Sequence, residues 1–277
     1  MIAIDSRRFT LDAEGVVGTL YLPRSDDPFP GVLLIGGSDG REPQMSAEGL
    51  AQQGFATLAV AYFGRPGLPP SLRDVPLEYF ERALIALRRA LAPRHGPLVV
   101  LGTSRGSEAA LLMGVHFPEL VSAVIGMVPG NVILCSWPPG GPAWTLRGQA
   151  LPFVSRFGPS ADNPEAVIPV ERIQGPILLI SAGEDKVWPS HAMAEAMAER
   201  LRASGHPYAD EHVGFPFFGH YLGRPGVGVH ASPGTSERTA PDPVTVERHS
   251  PLSATVQFLS RVRQSGPLVG ETLSGTP

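Results

Sequence analysis

The chain holds a single cysteine, Cys135, among 277 residues. That excludes an intramolecular disulfide, and nothing calls for an oxidising compartment. No apolar run approaches the roughly 18 residues that a membrane-spanning helix needs. The opening Met1-Ile-Ala-Ile-Asp-Ser-Arg-Arg lacks the apolar stretch and small-residue cleavage site of a signal peptide. Charge is also sparse, at 17% of residues with a net of -4, so electrostatics argue for neither nucleic acid nor an anionic membrane surface as partner. Internal repeats and low-complexity segments are missing. No His/Cys cluster has zinc-ligand spacing, and no dinucleotide fingerprint appears. Gly36-Gly37-Ser38-Asp39-Gly40 is not a phosphate loop, because no Gly-Lys-Ser/Thr follows it. A cytoplasmic globular protein that uses neither metal nor organic cofactor is expected.

What the chain does have is punctuation. Its 32 glycines and 30 prolines concentrate between apolar runs, where turns belong. Residues 15–22 read as an amphipathic strand, paired with 7–12 in a hairpin, and 31–36 as a strand buried on both faces. A helix over 44–53 precedes a strand at 55–62. In 75–92, Leu77, Phe80, Leu84, Leu87 and Leu91 recur at helical spacing with Glu78, Arg82, Arg88 and Arg89 between them. Strands then follow at 97–103, 120–128, 176–182 and 208–213, with helices at 105–116, 190–204 and 252–264. Such alternation predicts one α/β domain over residues 1–277, with a mostly parallel sheet covered by helices on both faces. Two stretches break the rhythm. Residues 129–172, with Trp137, Trp144, Phe153 and Phe157, read as a lid-like insertion, and 222–250 as a mobile loop.

The chemistry-bearing motif is Gly102-Thr-Ser104-Arg-Gly106, at the junction of a strand and a helix. G-x-S-x-G in that context is the nucleophile elbow of the α/β-hydrolase fold. A serine on this tight turn projects its hydroxyl above the sheet, and small neighbours leave room for it. The helix N-terminus beside it favours developing negative charge.

Activating a hydroxyl takes a base, and the base takes an orienting carboxylate. The chain order in this fold is serine, acid, histidine. Asp185 follows the strand 176–182 and should sit at the same edge of the sheet as Ser104, with Glu184 its neighbouring competitor. Among eight histidines, His95 and His116 come too early and His191 opens a helix. His206 sits in a turn, while His230 and His249 fall in the long loop. His220 follows the last strand after Gly219 and is the expected base, with His212 in reserve. For the oxyanion hole, the Arg105 N–H is one expected donor; the second comes from the glycine-rich turn, Ser38 first and then Gly37. Trp137 and Trp144 are candidates to line an acyl pocket, or else core. Arg41, Arg65 and Arg105 are scattered candidates for binding anionic substrate groups.

These motifs resemble the C-terminal catalytic domain of the acyl-CoA thioesterase and bile acid-CoA:amino acid N-acyltransferase family. The resemblance rests on Phe29–Gly40, Gly54–Gly64, Pro76–Glu81, Leu101–Leu112, Ile168–Ile173, Gly175–Ser181 and Val187–Ser190, spread in order from about residue 29 to 220. It implies a triad on Ser104, Asp185 and His220, in agreement with the residue-level reading. Larger members carry an additional N-terminal β-sandwich domain, whereas only a short β segment precedes the catalytic region here. The family's transferases use cysteine and its hydrolases serine, so Ser104 implies hydrolysis of an acyl thioester, of acyl-CoA or acyl-carrier type. Dienelactone hydrolases form a related group, which makes a carboxylesterase or lactone hydrolase the alternative. N-acyl transfer and a non-catalytic binding role rank lower.

Overall fold

The computed structural model describes residues 2–25, 29–92, 95–155, 163–222 and 250–264. The chain opens with β1 (Ile4–Phe9), a one-turn helix α1 (Leu11–Glu14) and β2 (Val17–Pro23). Thr10 caps α1 through its side chain and Gly15 ends it in the left-handed region, so the hairpin closes through a helical turn rather than a tight loop. The alternation follows: β3 (Phe29–Ile35), α2 (Gln44–Ala51), β4 (Ala56–Ala61), a two-residue β5 (Val75–Pro76), α3 (Leu77–Leu91), β6 (His95–Thr103), α4 (Arg105–His116) and β7 (Ala123–Met127). After the insertion come β10 (Ile177–Ala182), α5 (Ser190–Ser204), β11 (Glu211–Phe215) and α6 (Pro251–Gln264).

Eight strands form one sheet in the order β1-β2-β4-β3-β6-β7-β10-β11. β1, β2 and β4 pair antiparallel, while β4 through β11 run parallel. This is the α/β-hydrolase fold. Parallel strands need covering on both faces, and alternate residues supply each face. Leu33, Ile35, Val100 and Leu179 point into the layer with α3, α4 and α5. Val32, Leu34, Val99, Leu101 and Ile180 point to the opposite layer, with Ala47 and Leu50 of α2 and Phe258, Leu259 and Val262 of α6.

The expected last strand, 208–213, is instead Glu211–Phe215. Asp210 is occupied in accepting the Ile177 N–H at 3.0 Å and bonding His206 at 2.6 Å, so pairing starts one residue later. The described residues of the insertion 129–172 carry more regular structure than their composition implies. They include β8 (Trp144–Leu146) and β9 (Gln149–Ala150), which form a small sheet with β5, and two single 3-10 turns. Residues 223–249 of the segment read as a mobile loop lie outside the described residues, as do Phe157, His230 and His249. Among the described residues, no helix is long and apolar enough to cross a membrane.

Because β3, β6, β10 and β11 are parallel, their C-terminal ends share one edge. Ligands of open α/β sheets bind outside that edge, and all three residues of the expected triad follow strands that end there.

Candidate active site

Ser104 occupies the single residue between β6 and α4, at φ 56° and ψ -123°. This is a sparsely populated, strained region for a residue with a side chain. The surroundings hold it: its N–H donates to the Met127 carbonyl at 2.9 Å, and its own carbonyl accepts from Ser107 N–H and hydroxyl at 2.9 and 2.6 Å. The two glycines of the motif have a steric reason. A Cβ on Gly102 would lie 2.0 Å from the Gly106 carbonyl oxygen, and one on Gly106 would lie 2.3 Å from that of Gly36. Both obstacles are backbone, so neither can move aside.

His220 Nε2 lies 2.9 Å from Ser104 Oγ, and its Nδ1 lies 2.8 Å from Asp185 Oδ2. Imidazole and carboxylate side chains are 8% and 1% exposed. Asp185 Oδ1 accepts the backbone N–H groups of Val187 at 2.9 Å and Trp188 at 3.2 Å. Burial pushes the Asp185 carboxyl up, but hydrogen bonds from His220 and Ser190, the charge of His220 and the Val187 N–H outweigh it and hold it below its ordinary value. An ionised carboxylate accepts, so Nδ1 carries the hydrogen and Nε2 keeps a lone pair for the serine proton. Glu184 is not the partner; its N–H donates to the Phe218 carbonyl. His212 sits elsewhere, bonded to Ser181.

Of the expected oxyanion groups, Arg105 opens α4 directly after Ser104. The turn after β3 runs beside it: a Cβ on Gly37 would be 3.5 Å from Ser104 Cβ and 3.8 Å from Oγ. Ser38 is half-buried in the same turn. Two expectations need correction. Trp144 is fully buried, stacked on Tyr62 at 5.8 Å with its indole N–H donated to Glu108 at 3.0 Å, so it is core and has no surface to offer an acyl chain. The Arg105 guanidinium cannot greet an anionic substrate group, because it is committed to Glu108 at 3.0 Å and to the carbonyls of Leu134 and Cys135. Trp137 is 56% exposed, and Arg41 and Arg65 are exposed.

Other residues shape the site without having carried a motif of their own. Trp188 packs edge-on to His220 at 4.9 Å while donating its indole N–H to the Val128 carbonyl. Glu42 accepts from Arg8 and Thr19, pinning the glycine-rich turn to the N-terminal hairpin. The paired acid at 108 was the one legible hint, because an acidic residue three places after Arg105 shares its helix face.

A family model described as BAAT / Acyl-CoA thioester hydrolase C terminal matches residues 153–233. The chain is 31% identical over 230 residues to mitochondrial acyl-coenzyme A thioesterase 2 of Mus musculus, covering 79% of this chain and 51% of that protein. It is likewise 31% identical over 227 residues to acyl-coenzyme A amino acid N-acyltransferase 2 of Rattus norvegicus, covering 76% and 53%. The chain thus spans about half the length of the curated relatives it matches. Among solved structures, it is similar to MGS-M1, an α/β hydrolase from a deep-sea metagenome library. There the TM-score is 0.57 at 18% identity, covering 95% of this chain and all (100%) of the other. A dienelactone hydrolase-like phosphotriesterase from metagenomic libraries gives a TM-score of 0.55 at 17% identity, covering 94% and 99%.

Proposed function

We propose that this chain, which belongs to the BAAT/acyl-CoA thioester hydrolase C-terminal family, is a serine hydrolase that cleaves acyl thioesters to the free acid through an acyl-enzyme on Ser104. One observation carries the reading: a serine oxygen on a strained turn lies 2.9 Å from an imidazole whose far nitrogen lies 2.8 Å from a buried carboxylate. In this reading residues 1–277 act as one hydrolase domain, with 129–172 as its cover, in a cytoplasmic setting.

The Ser104 hydroxyl passes its proton to His220 Nε2 as Oγ bonds to the acyl carbon. Asp185 keeps the imidazole in the accepting tautomer and stabilises its cation. The carbonyl oxygen takes up negative charge in front of the N–H groups of Arg105 and Ser38, or of Gly37. The tetrahedral centre collapses, the C–S bond breaks, and His220 protonates the departing thiolate. Water then gives its proton to His220, attacks the acyl-enzyme, and releases the acid and the Ser104 hydroxyl. An oxygen ester on serine suits attack by water better than by an amine, which favours hydrolysis over N-acyl transfer.

A second reading is hydrolysis of small oxygen esters or lactones. The commitment of Arg105 to Glu108 favours it, since Arg41 and Arg65 are then the exposed cations among the three weighed for CoA phosphates. The test is a panel of acyl-CoA thioesters of graded chain length, read by thiol release, beside p-nitrophenyl esters. A kcat/KM at least tenfold higher for one thioester than for any ester is expected. Turnover of esters alone selects the second reading, and no turnover of either removes both.

A further inference from the structure

A trans peptide unit points its C=O and its N–H in opposite directions, so holding the oxygen aims the hydrogen. The peptide joining Gly37 to Ser38 carries the Ser38 N–H, and its Gly37 oxygen is held twice. The Tyr62 hydroxyl donates to it at 2.6 Å, and the Gly40 N–H at 3.2 Å. The same hydroxyl lies 3.1 Å from the Gly36 carbonyl oxygen. We propose that Tyr62 is a positioning residue for the oxyanion hole: by holding the Gly37 carbonyl on the core side, its hydroxyl turns the Ser38 N–H toward the space above Ser104. This rests on the hydrolase reading above and adds the group that aims the second donor.

Tyr62 is built to stay where it is. It is fully buried, and its ring is packed by Phe63 at 5.0 Å, Phe80 at 5.5 Å and Trp144 at 5.8 Å. Burial pushes its phenol far above the ordinary range; nearby Arg105 pulls the other way and Asp39 and Glu108 add to the rise, so the hydroxyl remains a donor throughout working pH. The support also reaches the other donor. Trp144, stacked on Tyr62, donates to Glu108; Glu108 pairs with the Arg105 guanidinium, and the Arg105 backbone N–H is the expected partner of Ser38. One buried set of side chains thus braces both walls of the hole.

Tyr62→Phe keeps the ring and deletes only the hydroxyl. Its effect is read by the rate at which an alkyl fluorophosphonate labels Ser104, a reaction that also builds negative charge on an oxygen in the hole, and by p-nitrophenyl acetate turnover. Labelling and kcat should each fall about tenfold, with KM within about twofold; losing a donor outright costs about 10²–10³ in kcat. Thr57→Val is the control. It deletes another buried hydroxyl bonded to a carbonyl, that of Phe55 at 2.9 Å, five residues back along the β4 strand and roughly 16 Å away. It should lose comparable melting temperature while keeping wild-type labelling and kcat. Wild-type rates in Tyr62→Phe overturn the role of Tyr62 and leave Ser104 as nucleophile. A wild-type protein that the probe leaves unlabelled overturns both readings. If Tyr62→Phe does not fold, Phe80→Leu retains the hydroxyl and the Glu108–Arg105 pair while thinning the packing on the Tyr62 ring: slower labelling supports the proposal, and an unchanged rate sinks it.

Discussion

Among the described residues, two serines bond a histidine Nε2 at nearly equal length. Ser104 Oγ lies 2.9 Å from His220 Nε2, and Ser181 Oγ lies 2.8 Å from His212 Nε2. Proximity does not separate them; their settings do. Ser181 is a fully buried residue within β10, and its one hydroxyl is shared with a second imidazole, His191 Nδ1, at 2.9 Å. The carboxylate beside that pair, Glu195, is 62% exposed and 3.5 Å from His191 Nε2. Ser104 stands past a strand end, in a strained conformation, with a base oriented by a carboxylate that is only 1% exposed. The difference teaches that hydrogen-bond length alone does not mark a nucleophile: the pair at Ser104 has a strained turn past a strand end and a buried acid behind the base, and the pair at Ser181 has neither.

The largest effect that should split the two pairs is deletion of each hydroxyl. Ser104→Ala should lower kcat by on the order of 10⁶-fold, while Ser181→Ala should stay within about threefold. Substantial turnover in Ser104→Ala would move the nucleophile elsewhere. Next come the acids. Asp185→Asn should cost about 10⁴-fold by turning the imidazole to the wrong tautomer, and Glu195→Gln nearly nothing; equal losses would erase the distinction drawn from burial.

The glycines near each serine sharpen the contrast through stability. A Cβ on Gly106 meets backbone, the Gly36 and Ile35 oxygens at 2.3 and 2.4 Å, whereas one on Gly214 meets the His191 ring at 2.9 Å. The His191 side chain is 45% exposed and has room to swing. Gly106→Ala should therefore cost about 1–3 kcal/mol or more, seen as a lower melting temperature, and Gly214→Ala well under half of that. Comparable melting temperatures would mean that the elbow relaxes more readily than its geometry suggests.

The smallest effect concerns pH. His212 is held below its ordinary value, by burial first and then by neighbouring His191, with Glu195 opposing. The unfolded chain therefore binds the proton more readily, and folding stability falls as pH drops from the unfolded pKa near 6.5 toward the lower folded value. His212→Gln should flatten that part of the melting-temperature profile. Activity should behave differently: His212→Gln should leave its pH profile unchanged, because His212 bonds Ser181 and not Ser104. A shifted activity profile in His212→Gln would tie the two pairs together.

Legibility followed the range of the forces involved. Helices at 105–116 and 190–204 were read to the residue, because their ends carry local signals: the elbow at one, and Gly205 in the left-handed region closing the other. The hairpin and the last strand shifted by a few residues because Thr10 and Asp210 spend their side chains on capping backbone N–H groups. Trp144 pointed two ways in the sequence, and the Arg105 side chain was read only toward an anionic substrate group. An indole suits a pocket or a core, and a guanidinium suits a phosphate or a carboxylate; Glu108, one helical turn from Arg105 and brought to Trp144 by the fold, resolved both.

Residue types and spacing alone determined the strand–helix alternation, the strained turn at Ser104 and the choice of Ser104 as the proposed nucleophile, since each depends on sterics within a few bonds. Which histidine serves Ser104 was decided by the tertiary structure. The strand order carries the ends of β6, β10 and β11 to one edge, and a hydrogen bond spanning 116 residues forms only where that order closes the distance.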